Sequence, residues 1–243
     1  MEKESLSCHS YLYETDPEFV EIIDNFINNE VATLSGIDEK TRYMAIMATL
    51  IGCGGKDEFK NILPDAIDNG LTSVEVKEIV YHAAPYLGIG RVLPFLNIVN
   101  DYFKEINISL PLPGQRVVSG ASRAKAGSDA IIKIFNEDIS DVLEEGPYKG
   151  RHIDYWLCSN CFGDYFTRNG LNIKQREMIT LCMISAQGGC EPQLADHAEA
   201  NIRVGNNKDF LLQVIAQCLP YIGFPRTLNA IRCINEADKN FNK

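Results

Sequence analysis

The 243-residue chain has one tryptophan, no basic excess and no long apolar run. Lys and Arg total 23 against 33 Asp and Glu, a formal charge of −10. That balance excludes nucleic acid and anionic membranes as partners, because both reward a basic face. No stretch nears the roughly 20 apolar residues that cross a bilayer. A charged, apolar and cleavable leader is missing from the N-terminus, so a soluble, cytoplasmic protein is expected. Strand-type alternation and a Gly-rich phosphate-binding motif are missing too. Eight cysteines in a chain of this length make no disulfide scaffold. One C-x-x-C without a second, and no histidine pair, make no zinc site, so no metal is expected.

What is present is a repeat. Gly70-Leu71-Thr72 with Pro85-Tyr86-Leu87-Gly88-Ile89 returns as Gly205-Asn206-Asn207 with Pro220-Tyr221-Ile222-Gly223-Phe224. Thr41-Arg42-Tyr43-Met44 returns as Gln175-Arg176-Glu177-Met178. The displacement is 134 residues from Arg42 to Arg176 and 135 from Gly70 to Gly205, a period that marks a duplicated unit. The expected division is a first copy at 14–104, a connector with a docking helix at 105–149, and a second copy at 150–240. The copies differ where chemistry can sit. The second has Glu177, Cys190 and His197; at the matching places the first has Tyr43, Lys56 and Leu63 or Pro64. The first copy's site is therefore expected to be degenerate.

Helical periodicity dominates, and the fold is expected to be all-α. Glu18 to Ile27 and Ala130 to Leu143 space their apolar residues by three and four. Thr72-Ser73-Val74-Glu75 is a capping box, while Asp38 and Asn172 are matching N-cap residues for two long apolar helices. Ile108 to Gln115, with Pro111, Pro113 and Gly114, passes between the copies. The polar stretch Val118 to Ser128 then leads into a helix expected over 129–145.

Gly188-Gly189 end one helix, and Pro192 suits the first turn of the next, so Cys190 sits just before a helix N-terminus. That end favours a thiolate and the neighbouring Glu191 opposes it; the plain alternative is a half-buried cysteine filling a turn. His197 lies seven residues on, about 10 Å along a regular helix. A Cys/His pair would thus need an intermediate such as Gln193, one turn below His197. Histidine moves protons near neutral pH, although a lone helical histidine is more often structural. Glu177 near the start of the preceding helix can approach His197 or simply complement the helix dipole. Arg176 suits a substrate carboxylate, and a structural ion pair explains it as well. Cys158 and Cys161 form the C-x-x-C inside an apolar, aromatic stretch, where core cysteines are the simpler reading. Cys8, Cys53, Cys182, Cys218 and Cys233 fall among apolar residues as core filler.

Phe162-Gly163-Asp164-Tyr165-Phe166, Leu171 to Met178, Pro192 to Ala200 and Tyr221 to Ala230, matched in the first copy by Thr41-Arg42, Ala66 to Thr72 and Tyr86-Leu87-Gly88, resemble the carboxymuconolactone decarboxylase family, which includes alkylhydroperoxidase D. The resemblance implies two tandem helical domains in an orthogonal bundle and a homo-oligomer, a trimer forming a pseudo-hexameric ring. In the hydroperoxidase branch a Glu, a C-x-x-C and a His act together. Glu177, Cys190 and His197 match the Glu, first Cys and His, while Gln193 stands at the second Cys. A thiol-dependent peroxidase or redox relay would then need Cys158 or Cys161 as resolving thiol. The decarboxylase branch implies cofactor-independent lyase chemistry on a small carboxylate or lactone, with His197 and Glu177 as proton machinery and Arg176 and Gln193 at the substrate. A non-catalytic ring-forming or binding protein is the third expectation.

Overall fold

Asp38 and Asn172 start the same helix twice. Asp38 Oδ1 accepts from the Thr41 amide at 2.9 Å, and Asn172 Oδ1 from the Gln175 amide at 3.0 Å. The computed structural model describes residues 9–34, 36–147 and 150–241, and Cys8 lies outside the described residues. The first copy comprises α1 (Pro17–Asp24), widening into a π-helical stretch (Asn25–Val31), α2 (Glu39–Cys53), α3 (Lys56–Asp68), α4 (Ser73–His82), α5 (Ala84–Leu87) and α6 (Ile89–Glu105). Two connector helices follow, α7 (Ser122–Phe135) and α8 (Ser140–Glu145). The second copy comprises α9 (His152–Trp156) with its own π-helical stretch (Leu157–Phe166), α10 (Ile173–Gln187), α11 (Glu191–Arg203) and α12 (Lys208–Phe241). The fold is all-α, with no strand among the described residues.

The duplication extends to backbone angles. Gly88, φ 73° and ψ 154°, separates α5 from α6, and Gly223, φ 74° and ψ 167°, kinks α12 at the equivalent place. Only glycine takes that conformation without strain. The capping box at Thr72 is complete, with its hydroxyl accepting from the Glu75 amide and Glu75 accepting from the Thr72 amide.

The centre is the crossing of α2 and α10, both buried over most of their length. All-round burial explains why neither shows the one-sided pattern of a surface helix. A Cβ on Gly52 would lie 2.6 Å from the Met183 carbonyl oxygen and 2.7 Å from Ala186 Cβ, so the close crossing requires glycine there. One buried cluster runs through both copies, from Met47, Phe59 and Phe95 to Ile179, Met183 and Val214. Cys182, Cys218 and Cys233 lie within it; Cys53 packs against its edge.

Each copy also grips the other through its repeated arginine. Arg176 on α10 is fully buried and donates to Glu78 at 3.0 Å, with His82 Nδ1 3.3 Å from its other terminal nitrogen. Arg42 on α2 donates to Gln217 at 3.1 Å, and Gln217 stands where His82 stands, 135 residues on.

The connector corrects one expectation. The helix expected over 129–145 begins at Ser122 and ends at Phe135, where Asn136 turns left-handed at φ 61°. The early residues are helical because α7 lies directly on the second π-helical stretch: a Cβ on Gly127 would overlap the Cys158 carbonyl, and one on Gly163 the Arg123 carbonyl. No helix among the described residues is long and apolar enough to cross a membrane.

Candidate active site

Two glycines with positive φ, Gly188 at 70° and Gly189 at 75°, turn the chain from α10 into α11. The turn lays the helices side by side, so that Glu177 meets His197. His197 Nδ1 lies 2.8 Å from Glu177 Oε2. The carboxylate is fully buried and the imidazole is 7% exposed. A carboxylate facing Nδ1 makes that nitrogen the donor and leaves Nε2 for the cavity. One turn further along α11, the Asn201 amide donates to the Glu177 carbonyl at 2.9 Å and to the His197 carbonyl at 2.8 Å. Asn206 donates in turn to Asn201 Oδ1 at 2.8 Å, so the pair sits on a buried amide network.

The imidazole is also held edge-on between two rings from outside the second copy. Tyr86 of α5 lies 5.5 Å away and Phe135 of α7 lies 5.3 Å away, centroid to centroid. Together they border a cavity of about 710 Å³. Its walls are apolar, with Ile131, Leu157, Phe162 and Ile184, and its polar lining carries Glu137, Asp154, Asp196 and Glu199 with Arg151 and Arg203. Both arginines have carboxylate partners, Asp141 at 2.7 Å and Glu199 at 3.0 Å. Arg203 Nε is buried without an acceptor. The Tyr86 hydroxyl and Glu177 Oε1 are likewise buried and unsatisfied.

Cys190 and Cys161 line the same cavity, as does Gln193. Cys190 is the N-cap residue of α11, with its sulfur 3.5 Å from the Gly188 carbonyl oxygen. Burial, reinforced by Glu191, pushes its thiol up from the ordinary range. Burial pushes Cys161 up to about 12. The N-terminus of α11 and Arg91 favour a Cys190 thiolate, but burial and Glu191 outweigh them. Cys158 does not line the cavity; its thiol donates to the Ala124 carbonyl at 3.1 Å, into the packing with α7.

Arg176, expected at the substrate, does not line the cavity. Its terminal nitrogens go to Glu78, His82 and the carbonyls of Arg168 and Asn169, and its Nε is buried away from the cavity with no partner among the described residues. The match between copies also shifts. Gly55 caps α3 where Cys190 caps α11, because the second turn is one residue longer: Gly188, Gly189 and Cys190 against Gly54 and Gly55. Cys190 therefore corresponds to Gly55 and His197 to Ile62, rather than to Lys56 and Leu63 or Pro64. The Tyr43 match to Glu177 stands.

The Carboxymuconolactone decarboxylase family model matches residues 17–101 and 154–236. The chain belongs to the carboxymuconolactone decarboxylase family. It is similar to the 4-carboxymuconolactone decarboxylase of Acinetobacter baylyi, 28% identical over 98 residues that span 40% of this chain and 73% of that protein. The carboxymuconolactone decarboxylase segments include Glu177, His197, Cys190 and Tyr86. They leave out α7, so the Phe135 and Ile131 wall comes from outside the family's matched segments.

Sequence reading did not single out Tyr86, Phe135, Asn201, Arg151 or Arg203. Asn201 carried a signal, lying one helical turn after His197 on the same face. Tyr86 was visible only as part of the repeated Pro-Tyr-Leu-Gly motif.

Proposed function

We propose that the protein is a cofactor-independent lyase of its family, acting on a small carboxylate or lactone in the 710 Å³ cavity. The observation that carries this reading is the 2.8 Å Glu177–His197 hydrogen bond beside that cavity. It supplies a fixed, carboxylate-backed proton carrier, the requirement of general acid–base catalysis. In a decarboxylation, the bond from the ring carbon to the carboxylate carbon breaks and carbon dioxide leaves. The electron pair passes into the conjugated lactone carbonyl, and the dienolate takes a proton at carbon from Nε2 of a doubly protonated His197, whose Nδ1–H stays on Glu177. Solvent then restores that proton. Arg203, with its unsatisfied Nε, and Arg151 take the anchoring role that Arg176 cannot, and Gln193 contacts the substrate from α11. The Tyr86 hydroxyl and Glu177 Oε1 are polar atoms the fold leaves open, as functional sites do.

The presence of Cys190 and Cys161 in one cavity supports a second reading, a thiol-dependent peroxidase. The upward push on both thiols places it behind the lyase. Turnover of 4-carboxymuconolactone and of lactone acids with a single carboxylate, followed by carbon dioxide release, tests the choice. His197→Gln and Glu177→Gln should each lower kcat by about 10²–10⁴ while the lactone still binds. Peroxide reduction lost on Cys190→Ser, with no lactone turned over, would replace the lyase by the peroxidase.

We also propose a homo-oligomer, a trimer closing a pseudo-hexameric ring, working in the cytoplasm. Ile89 and Leu93 on α6 are exposed, and so are Phe224 and Leu228, their equivalents 135 residues on. Two apolar faces repeated at matching places support contact with further copies.

A further inference from the structure

Lys77 is a buried ammonium without a counter-charge among the described residues. It lies on α4, 7% exposed, and its Nζ donates to the neutral side-chain oxygen of Asn100 on α6. The rings of Tyr81 and Phe103 stand 5.9 and 6.0 Å from it. Nearby carboxylates are committed elsewhere: Glu75 to Lys40, Asp101 to Lys104, and Glu78 to both Arg168 and Arg176. A charge taken out of water is costly unless it meets its opposite, and burial draws this ammonium's pKa down.

Lys77 faces a second cavity of about 440 Å³, which shares no lining residue with the one beside His197. Lys104 and Arg168 line it as well, and its one lining carboxylate, Glu78, is already divided between two guanidiniums. The opposite wall is the extended passage between the copies, Leu110, Pro111, Leu112 and Pro113. We propose that this cavity binds a small organic carboxylate, with its anionic end on Lys77 Nζ and its apolar body against Tyr81, Pro111 and Leu112. Two largely covered cations, Lys77 and Arg168, at one cavity in a chain of formal charge −10 are a local feature, not the general surface; Lys104 stands exposed at the rim. The volume is that of a small-molecule site. A carboxylate fits better than a phosphate, because Arg168, the one fork-shaped donor present, is already bidentate on Glu78.

The test is reductive methylation of the whole protein, read at Lys77 by peptide mass spectrometry, with benzoate, its neutral isostere benzamide, or inorganic phosphate present. Benzoate should slow modification of Lys77 by about tenfold at ten times its Kd, with benzamide inert and exposed Lys125 unaffected. Calorimetry gives an independent reading: Lys77→Met should lose one benzoate-binding event that His197→Gln retains. Met replaces the stem and removes the uncompensated charge; should it not fold, protection in the wild type decides alone. Equal protection by benzamide, protection by phosphate alone, no protection, or a Lys77 inert in the free protein would overturn the proposal.

Discussion

Tyr86 of the first copy stands edge-on against His197 of the second, their ring centroids 5.5 Å apart at 76°. The copy without the Glu–His pair is thus a wall of the site and holds the imidazole in place. Burial of the Tyr86 hydroxyl, beside Cys161 and Glu177, pushes its pKa well above the phenolic range. The group stays a neutral donor at any working pH.

Tyr86→Phe keeps the ring and removes a buried, unsatisfied hydroxyl. Thermal unfolding should show a stability unchanged or raised by about 1 kcal/mol. A hydroxyl that donates to the substrate predicts that lactone turnover nevertheless falls by about tenfold or more. A loss of stability with unchanged turnover would return Tyr86 to a packing role.

Cys190 should behave as an unactivated thiol. Burial and the neighbouring Glu191 push its thiol up from the ordinary range, so the thiol form dominates at neutral pH. Iodoacetamide should modify it more slowly than free cysteine at pH 7, with a rate still climbing above pH 9. Cys190→Ser should leave lactone turnover near the wild-type value. Rapid alkylation at pH 6 would contradict the geometry around the sulfur.

His82 carries a pH dependence of stability. Burial, with Arg176 and His197 adding to it, holds His82 well below 6.5 in the folded protein. The unfolded chain takes up a proton near 6.5 and the folded chain does not, so the unfolded state binds more protons below that pH. Stability is therefore full above about 6.5 and falls as the pH drops toward the folded pKa, by up to about 1.4 kcal/mol per unit. His82→Gln, which installs the residue found at position 217, should flatten urea-unfolding stability between pH 7 and 5. An unchanged slope would assign the acid sensitivity to other groups.

The matched apolar faces predict the assembly. Sedimentation should give a multiple of the 27.2 kDa chain, and the double variant Ile89→Glu, Phe224→Glu should give the single chain with its helicity intact. A wild-type protein that sediments as one chain would leave those faces without a partner.

Features encoded within a few residues were legible in the sequence. Asp38, Asn172 and Thr72 cap as their side chains demand, and the difference between the copies singled out Glu177 and His197, which the fold brings within 2.8 Å of each other. Features that depend on chain meeting chain were not. The Cys190 match slipped because one added residue in the second turn changes the offset from 134 to 135, and the sequence does not show which side of the turn holds it. Arg176 suits a substrate anchor chemically; only the fold delivers Glu78 to it. The start of α7 was hidden because Gly127, which breaks helices in isolation, is needed here for the close approach to Cys158. Tyr86 belongs to a motif that both copies share, and its place against His197 arises from the packing of one copy on the other.

The reciprocal grip of Arg42 and Arg176 has a counterpart in any dimer of identical chains, with one difference. In such a dimer one codon sets a position on both sides of the interface, so every substitution is made twice. Here the passage from Leu110 to Gln115 joins the halves, and each side drifts alone. His82 faces Arg176 while Gln217 faces Arg42, and Tyr43 occupies one slot while Glu177 fills the other. A covalent joint between the halves is what allows one ancestral position to hold two different side chains.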